Sequence, residues 1–177
     1  MRITGGTLLG RTIEVPAGII RPSMDKMRES VFACLGDLSG LSFLDIFSGS
    51  GIIAIEAASR GASYIEAVEQ DKLKRKTLLD NVSIAPVRIN CRFMPAELYV
   101  KRAKKTFDII FLDPPFPYQY KWELTANIAF SPLSASGSRL LIHRPREDAQ
   151  KTDIQHLEKT DSREYGRSVV DFYLVQK

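Results

Sequence analysis

Apolar positions along this chain change their spacing in a regular alternation. Short continuous runs, LSFLDIF (41–47), SYIEAVEQ (63–70), VRINCRF (87–93), FDIIFL (107–112) and SRLLIHR (138–144), predict strands buried on both faces. Between them the apolar residues fall at helical spacing. IIAIEAASRG (52–61) predicts a helix stopped by Gly61, Asp71 opens one over 71–84, and shorter ones are predicted over 96–105 and 120–130. Ahead of the first strand, Ser23 and Asp25 are candidate caps for a helix over 23–38, with Met27, Val31, Phe32 and Leu35 on one face. Residues 1–20 alternate around Gly5, Gly6, Gly10 and Gly18 and predict a small hairpin or irregular arm. The last 25 residues read as two strands about a turn near Tyr165 and Gly166.

Strands and helices taking turns imply an α/β fold. Parallel neighbours need crossover connections, helices supply them, and the result is a mostly parallel sheet covered on both faces. The terminal hairpin would make the last strand or two antiparallel. In such sheets ligands bind beyond the carboxyl ends of the strands, near the point where strand order reverses. Candidate chemistry is therefore sought just after each strand.

Composition narrows the setting only slightly. The chain has 177 residues, 44% hydrophobic and 26% charged, which suits one soluble domain with a substantial core. No apolar run approaches the length of a membrane span, and the N-terminus interrupts its apolar residues with glycine and polar groups where an export signal would be continuous. A cytoplasmic protein is expected. Cys34 and Cys91 stand alone with His143 and His156, giving no metal-ligand spacing, and are expected to be buried thiols. A net charge of +4 leans weakly toward a polyanionic partner.

The strand ends are more informative. After the first strand, Gly49, Gly51 and Ala54 form G-x-G-x-x-A between strand and helix, a turn that lets a ligand reach the helix N-terminus. Asp45 precedes it. A carboxylate there repels a pyrophosphate and welcomes a cation, so S-adenosylmethionine, with its ammonium and sulfonium, fits better than a dinucleotide. Glu69 follows the second strand at the distance where an acid accepts ribose hydroxyls, and Asp71 beside it is expected to cap the next helix. After the third strand Pro95 stands where another acid near an adenine is common. Glu97 or backbone amides are left to serve that ring.

The fourth strand ends on Asp113-Pro114-Pro115-Phe116. A carboxylate beside a backbone carbonyl offers two acceptors for the hydrogens of an exocyclic amine, turning the nitrogen lone pair toward an electrophilic methyl. The prolines fix φ and remove competing donors, and Phe116 offers a face for a base. Catalysis would come from orientation, with no metal and no nucleophilic side chain.

These residues resemble the RsmD-type small-subunit ribosomal RNA guanine-N2 methyltransferases. The resemblance spans the chain through MRITGGTLLGR, RPSMDKMRESVF, FLDIFSGSGIIAIEAASRGA, VEQD, FLDPPF and REYGRSVVDFY. It implies a Rossmann-like class I methyltransferase: a seven-stranded, mostly parallel sheet with an antiparallel C-terminal hairpin, a substrate-recognition arm over 1–22 and a catalytic domain over 23–177. It implies S-adenosylmethionine bound by Asp45, Phe47, Ser48, Gly49, Gly51, Glu69, Gln70 and Ala96, and a guanine of 16S RNA held at Asp113, Pro114, Pro115 and Phe116. The expected partner is an assembling 30S particle, met by a monomer. Departures from the family pattern are Pro95, His143 near a position where an acid is common, and the missing asparagine in VFACL (31–35). Other readings keep the loop and change the acceptor, to adenine N6 in DNA or a glutamine amide, or keep RNA binding without catalysis.

Arg2, Arg11, Arg21, Arg28, Arg163 and Arg167 are the candidate RNA contacts. Arg28 is equally suited to pairing with Asp25, Glu29 or a cofactor carboxylate. The runs 72–76 and 101–105 read as solvated helix faces. His143 and His156 are expected to be structural or exposed, Trp122 to pack, and Tyr118 and Tyr120 either to pack or to flank the base.

Overall fold

The computed structural model describes residues 1–16, 24–149 and 153–177. Arg21 and the candidate cap Ser23 lie outside the described residues. The chain order is α1 (Met24–Leu35), β1 (Ser42–Ile46), α2 (Ile52–Ser59), β2 (Tyr64–Glu69), α3 (Arg75–Val82), β3 (Ile89–Phe93), α4 (Ala96–Arg102), β4 (Ile109–Leu112), α5 (Lys121–Phe130), β5 (Arg139–Pro145), β6 (Leu157–Tyr165) and β7 (Ser168–Val175).

The seven strands form one sheet in the order β3-β2-β1-β4-β5-β7-β6, parallel as far as β5, with β7 antiparallel to β5 and to β6. The expected architecture is the one observed. Strand order reverses between β1 and β4, so the turns after these two strands share one crevice. Two backbone bonds extend the pairing past the strand ends: Asp113 N–H donates to the Ile46 carbonyl at 3.1 Å and Ser48 N–H to Val68 at 2.9 Å. The residues that follow the strands are thereby held as firmly as the strands.

Burial explains why the apolar runs were continuous. β4 is buried at every position, and β1 and β2 at all but their first. One face packs Phe43, Ile65, Ala67 and Ile109 against α1 and α2, while the other packs Leu44, Val68, Ile110 and Leu112 against α4 and α5. Removing such side chains from water stabilises the fold by roughly 1.5–3 kcal/mol each.

The N-terminal segment is docked. Arg2 and Thr12 form an antiparallel bridge, and Ile3, Leu8 and Ile13 enter the same core as α1 and α2. Thr4 donates its amide and hydroxyl to Glu56 of α2 at 2.6 and 2.9 Å, and the Ser59 hydroxyl donates to the Gly5 carbonyl at 2.6 Å. Three helix limits differ from expectation. α1 stops at Leu35, short of 38. Asp71 caps a 3-10 turn, Lys72–Lys74, before α3 begins, its carboxylate accepting from Leu73 N–H at 2.9 Å, and α4 stops at Arg102 where Ala103 turns extended. Cys34 and Cys91 are only partly buried. Among the described residues no helix is long and apolar enough to cross a membrane, and no group of three potential ligands could hold a metal.

Candidate active site

The turn after β1 is shaped by backbone conformations that few side chains tolerate. Phe47, Gly49 and Gly51 have φ of 68°, 57° and 84°. A Cβ on Gly51 would meet Leu78 Cδ1 at 2.7 Å, so this glycine is required both by conformation and by the approach of α3. For Phe47 the left-handed conformation costs about 1–2 kcal/mol, sustained by its packing on Tyr118 at 5.2 Å between ring centroids. The strain turns the Phe47 ring into the cavity that follows the strands.

That cavity, about 580 Å³, is lined by residues from four strand ends and from the arm. Phe47 and Gly49 follow β1, Glu69 and Gln70 end β2, Asp113, Pro114, Pro115 and Phe116 follow β4, His143 comes from β5, and Met1 and Val15 close one side. The structure thus brings eight of the expected site residues onto one cavity. The other four do not line it. Asp45, Ser48 and Ala96 are buried and do not line the cavity, and Gly51 serves the turn's shape.

Asp45 is 1% exposed. Its Oδ2 accepts from the Ser48 hydroxyl at 2.6 Å, while its Oδ1 is buried without a partner. Burial, reinforced by the charges of Asp113 and Glu69 and opposed by the Ser48 hydroxyl, pushes its carboxyl up to about 7. Glu69 Oε2 accepts from Gly49 N–H at 2.8 Å and Oε1 from Asp71 N–H at 2.8 Å, tying β2 to the glycine turn. Asn81 completes the link to the arm by donating to the Ser50 and Glu14 carbonyls, each at 2.9 Å.

Asp113 has a partner that was not expected. His143 Nδ1 lies 2.6 Å from Asp113 Oδ1, and the ring stands edge-on to Phe116 at 5.5 Å. The imidazole is 1% exposed, and its Nε2 is buried without a partner. A carboxylate can only accept, so the contact fixes the Nδ1–H tautomer and leaves Asp113 Oδ2 for a ligand. Of the two expectations for His143, structural or exposed, the structure takes the first and adds a partner: β5 pairs with β4, Leu112 opposite Ile142, which sets the next residue of each strand side by side. Further along the loop, Tyr118 donates to Glu97 and packs as described, Tyr120 is exposed, and Trp122 packs against the α4–α5 core.

The candidate RNA contacts divide. Arg28 is fully buried, its Nη2 donating to Asp25 and the Arg2 carbonyl, both at 2.7 Å, and its Nε to Glu56 at 3.4 Å. Its assignment to RNA is corrected to the ion-pair reading, because no face of the guanidinium meets solvent. Arg163 pairs with Asp161 at 2.9 Å and Arg167 with Glu147. Arg2 and Arg11 are exposed.

The family described as Conserved hypothetical protein 95 matches residues 1–174. A Bacillus subtilis protein named Putative rRNA methyltransferase YlbH is 32% identical over 98% of both chains. The chain belongs to the RsmD-type methyltransferase family. Its relative in Escherichia coli K12, Ribosomal RNA small subunit methyltransferase D, is 33% identical over 66% of this chain and 60% of its own. The solved structure of Putative methyltransferase yhhF from Escherichia coli superposes with a TM-score of 0.89 at 25% identity, covering 99% of this chain and 98% of the other. SMU.776, a putative methyltransferase complexed with SAH, shares the fold at a TM-score of 0.71 and 16% identity, over 95% of this chain and 52% of its own.

Proposed function

We propose that this chain transfers a methyl group from S-adenosylmethionine to the exocyclic N2 of a guanine in small-subunit ribosomal RNA. The observation that carries the reading is the single cavity in which Gly49 and Glu69 face Asp113, held at one oxygen by His143. Its volume suits a nucleoside-sized ligand with a base beside it. The donor set fits the cofactor. Glu69 keeps lone pairs for ribose hydroxyls, Gln70 and Phe47 flank the nucleoside, and a cation bound in the cavity would favour the ionised form of the buried Asp45, whose Oδ1 has no partner among the described residues. When bound, S-adenosylmethionine supplies a methyl on a positively charged sulfur.

The remaining work belongs to the protein. Asp113 Oδ2 and the adjacent backbone carbonyl accept the two amine hydrogens and aim the nitrogen lone pair. His143 keeps the carboxylate from turning, Pro114 and Pro115 keep the loop from relaxing, and Phe116 stacks on the base. Asp113 Oδ2 is also the acceptor for the proton that the nitrogen sheds. The arm over 1–22 contributes to substrate recognition, since Met1 and Val15 wall the cavity and Arg2 and Arg11 of the same arm are exposed. The substrate is RNA of an assembling 30S particle, met by a cytoplasmic monomer.

The test is methylation of small-subunit particles lacking the modification, followed by nucleoside mass spectrometry. N2-methylguanosine at one position is the expected product. N6-methyladenosine, or label found only in protein, would refute the assignment.

A further inference from the structure

The cations of this chain are unevenly placed. Residues 71–105, which build α3, β3 and α4, hold ten Lys or Arg against three Asp or Glu, a surplus of seven. The whole chain carries +4, so the remainder is net −3. The excess sits in the segment that runs through α3, β3 and α4.

Pairing separates the β3 edge of the sheet from the opposite one. Along β6 and the turn after β5, Arg146 pairs with Glu164, Arg167 with Glu147, Arg163 with Asp161 and Lys159 with Asp171. Those cations are neutralised within the fold. On the β3 side, among the described residues, Arg88, Lys101, Arg102 and Lys104 are exposed and have no carboxylate within 4.0 Å. Lys105 Nζ lies 3.1 Å from the centroid of the Tyr64 ring. Free cations cost the fold self-repulsion and return no pairing energy, so their grouping marks a surface shaped for an anion.

The grouping surrounds a cavity. A second pocket, about 420 Å³, opens between the end of α4 and β2, with Arg102, Lys104 and Lys105 at its rim and Tyr64 and Tyr99 in its walls. Its floor is Glu66, which accepts from Tyr64 at 2.5 Å, Tyr99 at 2.9 Å and Arg92 Nε at 3.1 Å. That carboxylate is hydrogen-bonded throughout and its charge is balanced by Arg92. The three rim cations are left over.

We propose that this pocket and the basic edge around it form a second RNA contact that holds phosphodiester groups of the substrate away from the catalytic cavity. Phosphates are recognised by clustered Lys and Arg without sequence preference, and the tyrosine wall offers a face to a ribose or an unstacked base. Lys74 lines the catalytic cavity, 3.9 Å from Glu69 and from Asp71, and Arg75 lies over Phe93 at the end of β3. In this proposal an RNA strand bound at Asp113 runs down β3 and α4. The identity of the polyanion rests on the proposed function; the location of the contact does not.

The test uses the full chain, a small-subunit rRNA fragment and a salt series. Each phosphate contact contributes about 0.7–0.9 to the slope of log affinity against log salt. The triple variant Arg102→Gln, Lys104→Gln, Lys105→Gln should lose about 2–3 from that slope and bind about 100-fold more weakly at 0.1 M salt. Its S-adenosylmethionine affinity, measured by calorimetry, should match wild type. A charge-matched triple on the other edge at residues outside the candidate RNA contacts, Arg146→Gln, Lys159→Gln, Lys177→Gln, should keep slope and affinity. Equal losses in both triples, or none in the first, would overturn the proposal. Failure of the wild-type chain to bind rRNA at all would instead overturn the proposed function.

Discussion

Replacing His143 isolates what the carboxylate of Asp113 needs from its neighbour. The imidazole is 1% exposed and Nδ1 stands 2.6 Å from Oδ1, whereas the Asp113 side chain is 24% exposed and would otherwise be free to rotate toward solvent. A hydrogen bond to a charged group contributes about 1.5–3 kcal/mol. If about 2 kcal/mol of it is realised only when Oδ2 must face the amine, His143→Leu lowers the rate of methyl transfer about 30-fold. His143→Asn places an amide N–H near the position of Nδ1 and should recover transfer to within about 3-fold of wild type. His143→Gln, which extends its amide toward Nε2, should not. The histidine's Nε2 already lacks a partner, so the leucine variant loses no second hydrogen bond and its folding stability should stay close to wild type. Single-turnover rates, with cofactor affinity and thermal melting as controls, give the readout. Leu and Asn variants of equal activity, high or low, would refute the positioning role.

Three further outcomes follow from buried groups. The Asp45 carboxyl, raised from 3.8 to about 7, ionises in the unfolded chain before it does in the folded one, so its contribution is present at low pH and is lost between about pH 4 and 7. Asp45→Asn removes that loss, and urea titrations should show variant stability gaining on wild type by about 4 kcal/mol from pH 4 to pH 8; a constant difference would contradict the burial argument. Gly6 has φ of 75°, and a Cβ there would run into the Ser59 carbonyl, so Gly6→Ala should destabilise by at least about 2 kcal/mol and release the arm, read as faster hydrogen exchange at Ile3 and Leu8. Arg28→Met breaks the buried pair to Glu56 and the pair to the half-exposed Asp25 and should cost about 3 kcal/mol in a denaturant melt, while the folded variant keeps the salt slope of rRNA binding. A fall in that slope would return Arg28 to the RNA surface.

Much of this was legible from the chain because the sheet is buried on both faces. Continuous apolar runs marked β1, β2 and β4, and the crossover rule then predicted where Gly49, Glu69 and Asp113 would meet. Contacts that depend on strand order were not legible. His143 meets Asp113 across 30 residues only because β5 lies beside β4, and its histidine spacing carries no signal of that. Arg28 reads equally as an RNA contact or an ion-pair partner, and its pairing with Glu56 under the folded arm shows only in three dimensions. The 101–105 run reads as solvated helix, yet α4 ends within it and curls Lys105 over Tyr64, turning a charged face into a cavity rim. Asp45, read as a cation ligand, is buried, accepts from the Ser48 hydroxyl and does not line the cavity.

The most direct measurement compares Asp113→Ala with wild type in two assays on the same preparations: calorimetry with S-adenosylmethionine and single-turnover methylation of small-subunit particles. Cofactor affinity within about 3-fold of wild type, with methyl transfer reduced by at least about 1000-fold, is the predicted outcome. Transfer at near wild-type rate in that variant would contradict the account.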